Sequence, residues 1–65
     1  MKVMAKYKLP TGQFAMQSWD VGSDWPDDVI RQMAEVAQPE WELLAVIKFP
    51  DGVNQEWVYK GEAND

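Results

Sequence analysis

The sequence predicts an α+β fold of the ββαββ type: a four-stranded antiparallel sheet with one helix packed on one face. Two observations carry this expectation. The segment Ala5-Lys6-Tyr7-Lys8-Leu9-Pro10-Thr11-Gly12 returns forty positions later as Ala45-Val46-Ile47-Lys48-Phe49-Pro50-Asp51-Gly52, identical at Ala, Lys, Pro and Gly. Pro, any residue, then Gly between alternating apolar residues suits a type I turn closed by a glycine with positive φ, the three-residue hairpin loop. Between the two copies, Val29, Ile30, Met33, Val36 and Ala37 recur at helical spacing.

The first strand spans 2–9, with Val3, Ala5, Tyr7 and Leu9 on one side and Lys2, Met4, Lys6 and Lys8 on the other. After Pro10-Thr11-Gly12 the second strand returns over 13–21, ended by Val21-Gly22-Ser23-Asp24. The helix runs from about Trp25 or Pro26 to Ala37. Ser23 or Asp24 is placed to cap it, Asp24, Asp27 and Asp28 suit its positive N-terminal dipole, and Pro39 stops it. Asp27 with Arg31 and Arg31 with Glu35 are i,i+4 pairs. The third strand, 41–49, sets Trp41, Leu43, Ala45, Ile47 and Phe49 against Glu42, Leu44, Val46 and Lys48, and the fourth spans 53–60. One domain over 1–61 is expected, with a flexible acidic tail over 62–65.

Three-residue loops fix the register within each hairpin. Leu9 then opposes Gln13, so Tyr7 faces Ala15, Ala5 faces Gln17 and Val3 faces Trp19, with Lys8-Phe14, Lys6-Met16, Met4-Ser18 and Lys2-Asp20 on the reverse. In the second hairpin Phe49 opposes Val53, Ile47 Gln55, Ala45 Trp57 and Leu43 Tyr59, with Lys48-Asn54, Val46-Glu56, Leu44-Val58 and Glu42-Lys60 on the reverse. Strand order 2-1-3-4 keeps every neighbour antiparallel, whereas 1-2-3-4 would make strands 2 and 3 parallel. The helix is expected over Val3, Tyr7, Trp19, Trp41, Leu43, Ile47 and Trp57. The opposite face stays open, and the repeat sets Lys8 and Lys48 together on it.

Composition narrows the function. The 65 residues include neither Cys nor His, which removes thiolate nucleophiles, Cys-based zinc sites and the commonest general base. No secretory leader pattern or membrane-length apolar run is present, so a cytoplasmic location is expected. The net charge of −5 is uneven: residues 1–22 sum to +2, 23–42 to −5 and 43–65 to −2. An acidic mean disfavours broad nucleic-acid affinity.

The open face gathers lysines around an apolar patch, and its expected partner-binding residues are Lys6, Lys8, Phe14, Met16, Leu44, Val46, Lys48, Val58 and Lys60. The function this implies is a small non-catalytic protein-binding module. An acidic chain of this length without Cys or His has the general profile of a phage or mobile-element protein that inhibits a host protein. A homodimer through the same face would bury the same residues. The alternative is single-stranded nucleic-acid binding, with Lys tracking phosphates and Phe14 stacking a base. Asp20, Asp24, Asp27 and Asp28 match no metal or acid/base motif, and helix capping explains most of them. The acidic run from Asp24 to Glu42 reads as a solvated helix face rather than a mimic of a phosphate backbone. No cofactor or metal is expected.

Overall fold

The computed structural model describes residues 1–50 and 54–61. Among them the chain forms β1 (Lys2–Lys8), β2 (Phe14–Asp20), α1 (Asp27–Ala37), β3 (Glu42–Phe49) and β4 (Glu56–Tyr59). The sheet order is β2-β1-β3-β4 with every neighbouring pair antiparallel, the expected α+β arrangement.

The first hairpin follows its turn chemistry. Gly12 has φ 93°, its N–H donates to the Leu9 carbonyl at 2.8 Å, and Leu9 N–H donates to Gln13 C=O at 2.7 Å. This is the type I turn with its glycine bulge. All seven cross-strand pairs from Lys2↔Asp20 to Lys8↔Phe14 occur as counted from the loop.

The helix begins differently from expectation. Neither Ser23 nor Asp24 caps it; Pro26 is the cap, with φ −66° and no side-chain cap bond, and its carbonyl accepts the Val29 and Ile30 N–H groups at 3.1 Å. Gly22 C=O takes the Trp25 N–H at 3.2 Å, a turn that separates Ser23 and Asp24 from the helix start. The buried stripe also differs. Ile30 and Ala34 are fully buried and Met33 half-buried, while Val36 is 71% exposed and Val29 41%. Ala34 sets this rotation: Tyr7 Oη donates to its carbonyl at 2.7 Å. Val36, two residues on, lies roughly 200° around the helix and so faces away from the sheet.

The second hairpin is shifted by two residues. Lys48 pairs with Glu56 and Ile47 with Trp57, and Val46 pairs with Tyr59 across a bulge that leaves Val58 extra. Lys48-Asn54, Val46-Glu56 and Ala45-Trp57 are therefore not the pairs. Asp51, Gly52 and Val53 lie outside the described residues, and with them the expected second loop and the Phe49-Val53 pair, as does the tail over 62–65.

The larger correction concerns which side of β3 faces the helix. Beside β1, Val3 pairs with Lys48, Ala5 with Val46 and Tyr7 with Leu43, so these share the helix side; Met4 pairs with Ile47 and Lys2 with Phe49 on the other. A bulge at Leu44 keeps Leu43 with Tyr7, and Trp41 meets the Tyr7 ring edge-on, centroids 5.7 Å apart. Expected on the open face, Val46 is instead fully buried with Val3, Ala5, Tyr7, Val21, Ile30 and Ala34. Ile47 and Trp57, expected beneath the helix, lie on the open face. No tight turn links β1 to β3, so no loop fixes their register, and a slip of one residue exchanges the two faces.

Candidate protein-binding face

The helix-free face is assembled by register. One row crosses all four strands as Ser18, Met4, Ile47 and Trp57; beside it stand Met16, Lys6 and Ala45, then Asp20, Lys2 and Phe49, then Phe14, Lys8 and Glu42. Exposure is high where apolar contact would serve a partner: Phe14 63%, Met16 58% and Trp57 51%. Met4, Ile47 and Phe49 between them are half-buried. The result is an apolar band running diagonally from the β2 corner at Phe14 to Phe49 and Trp57.

Of the residues expected here, Lys6, Lys8, Phe14 and Met16 are in place. Lys60 borders the face, its Nζ 5.0 Å from the Trp57 ring centroid, and Lys6 Nζ lies 5.1 Å from that of Phe14. Of the other four, three lie elsewhere and Leu44 borders the face. Val46 is core, Val58 packs against the core from its bulge, and Lys48 lies on the helix side. Leu44, also bulged, lines a groove of about 600 Å³ with Glu42, Ala45, Trp57, Tyr59 and Lys60. Sequence reading missed Ile47, Phe49 and Trp57 as surface residues. Their alternation was visible, but it fits either side of the sheet equally well.

Electrostatics separates this face from the rest. Lys2, Lys6 and Lys8 form no salt bridge among the described residues, while Lys48 is held on the helix side at 2.8 Å from Asp27 Oδ1 and 3.8 Å from Glu56 Oε1. The hydrogen bond with Asp27 holds the Lys48 ammonium above its ordinary pKa; partial burial pulls the other way, and the charges of Asp27 and Glu56 add to the rise. Asp27 therefore does not pair with Arg31 as expected. Arg31 instead binds Glu35 at 2.9 Å and stacks over Tyr59, 5.7 Å from its ring centroid. Among the described residues no three acidic side chains are gathered to hold a metal ion, and no helix is long and apolar enough to cross a membrane.

Comparison with protein-family models, curated proteins and solved structures finds no match to this chain.

Proposed function

We propose that this chain is a non-catalytic protein-binding module whose contact surface is the helix-free face of the sheet. The supporting observation is the allocation of side chains in β3 and β4. Ile47, Phe49 and Trp57 stand on the open face, while Lys48 takes a place beneath the helix. A fold without a partner there would gain by burying the larger apolar groups instead, at roughly 25 cal/mol per Å². Met4 and Met16 give the centre of the patch an adaptable surface, and Phe14 and Trp57 supply anchors at its two ends. Lys2, Lys6 and Lys8 favour a partner with acidic groups around an apolar centre. Covering a partner's own site would be sufficient for the inhibitory role suggested by composition.

The test is affinity capture with wild-type chain and with Ile47→Asp and Trp57→Asp. Both variants are expected to keep the far-UV circular dichroism of the fold and to lose the captured protein. Capture unchanged in both would reject this face.

A second reading, single-stranded nucleic-acid binding, gains from Phe49 and Trp57 joining Phe14 on the Lys-bearing face. The net charge of −5 and the lysines already seated over Phe14 and Trp57 weigh against it. It requires amide shifts at Lys6 and Lys8 on adding a short oligonucleotide at low salt, fading steeply as salt rises. Their absence at low salt removes it.

A further inference from the structure

The edge of the sheet carries a second surface, independent of the face described above. β2 ends the strand order, so one of its backbone edges has no strand beside it among the described residues. The hairpin bonds show which groups line that edge. Leu9 N–H donates to Gln13 C=O, and Met1 and Val21 exchange both of their N–H···O bonds. The odd-numbered residues of β2 therefore bond inward to β1, and Phe14, Met16, Ser18 and Asp20 aim their N–H and C=O groups outward.

Edges of this kind are normally blunted by Pro, Lys, a bulge or a covering helix. β2 has none of these. Its sequence Phe-Ala-Met-Gln-Ser-Trp-Asp holds neither Pro nor Lys, and its register with β1 is unbroken where both registers of β3 shift. The helix packs chiefly over β3 and β4, leaving Ala15, Gln17 and Trp19 half-buried.

We propose that β2 pairs antiparallel with β2 of a second copy of this chain about a two-fold axis at Gln17, making one continuous eight-stranded sheet. This two-fold register pairs all seven residues of the strand; an axis at Met16 or Ser18 leaves the ends unmatched. Gln17 meets its own copy, Met16 meets Ser18, Ala15 meets Trp19 and Phe14 meets Asp20. The outward groups of residue 14 then meet those of 20, and those of 16 meet those of 18, so the hydrogen-bonding positions coincide. Trp19 and Met16 each face a smaller side chain.

Charge on the strand does not oppose a second copy. The chain carries −5, yet the strand's single charge, Asp20, stands at its end. The two Asp20 carboxylates would lie six residues apart, roughly 20 Å along the strand, beyond the screening length of about 8 Å at physiological salt. An isologous contact of this kind closes at two chains. Both helix-free faces then lie on one side of the joined sheet, and the two Met16 side chains become diagonal neighbours across the axis.

Sedimentation equilibrium over a wide concentration range tests this with wild type, Ser18→Pro, Gln17→Lys and Ile47→Asp. The Ser18 N–H points outward, so proline there removes edge donors while leaving the hairpin bonds intact. Lysine at 17 sets two ammonium groups against each other on the axis and keeps the chain foldable if the proline variant is not. Wild type and Ile47→Asp are expected to rise from one chain mass to two with concentration, while the two β2 variants stay at one. A single-chain mass for wild type throughout would overturn the proposal and leave the edge to a strand of another protein. Association unaffected by either β2 substitution, or abolished by Ile47→Asp alone, would overturn it in favour of the helix-free face. Masses above two chains would overturn the closed two-fold pairing.

Discussion

Lys48 Nζ lies 2.8 Å from Asp27 Oδ1, joining β3 to the first turn of α1. The lysine side chain is 20% exposed, so its stem covers apolar surface under the helix while its charge reaches a carboxylate at the margin. This lets a charged residue stand on the helix side of β3 with Val46 and Leu43, and it leaves Ile47 and Phe49 to the opposite face.

Removing that ammonium with Lys48→Met is expected to cost about 0.5–1 kcal/mol, since Asp27 is largely exposed. Folded Lys48 holds its proton more tightly than unfolded Lys48. The pair therefore stabilises fully below the unfolded value of about 10.4, and its contribution is lost as pH rises through the folded one. Urea midpoints of wild type and Lys48→Met should differ at pH 7 and converge in strong alkali. A gap that widens with pH would contradict the assignment.

Tyr7 is fully buried and donates to Ala34 C=O at 2.7 Å. Tyr7→Phe should cost about 1 kcal/mol, the net worth of a typical internal hydrogen bond. Burial raises the Tyr7 pKa, so the native state favours the neutral phenol. That preference stabilises below about pH 10 and fades as pH rises through the folded value. Alkaline unfolding followed by circular dichroism should shift upward in pH for Tyr7→Phe relative to its own neutral-pH stability.

Val46 and Ile47 are sequence neighbours with opposite roles. Val46→Ala is expected to lose about 2 kcal/mol, because it removes two buried methyl groups and leaves a cavity. Ile47→Ala should lose under about 1 kcal/mol, its side chain being half-buried. Denaturant titrations decide this, and equal losses would contradict the register of β1 with β3.

At the end of β4 the chain passes close to the Leu44 bulge. A Cβ on Gly61 would collide with the Leu44 carbonyl oxygen, and Gly61 has φ 21°. Gly61→Ala should cost about 1–2 kcal/mol and loosen β4 first. Hydrogen exchange at Trp57 and Tyr59 is the measurement, with faster exchange there than in β1.

The candidate site was half legible before the structure. Lys6, Lys8, Phe14 and Met16 were placed by counting outward from Gly12, whose positive φ leaves the first hairpin one register. Val46, Lys48, Ile47 and Trp57 were not. Their strands are tied to β1 through a helix, and a helical connection tolerates a slip that a three-residue loop does not.

What the sequence determined by itself is local: two strands closed by Pro10-Thr11-Gly12, a helix ended by Pro39, and the alternation that makes β3 a strand. The repeat also suggested that Lys8 and Lys48 share a face, and there the tertiary structure decided otherwise. Tyr7 bound to Ala34, the bulge at Leu44 and the reach of Lys48 to Asp27 fix β3 against β1 and α1. Which residues become surface depends on that long-range fit, because strand side chains alternate every two residues and the alternation is blind to which side is inside.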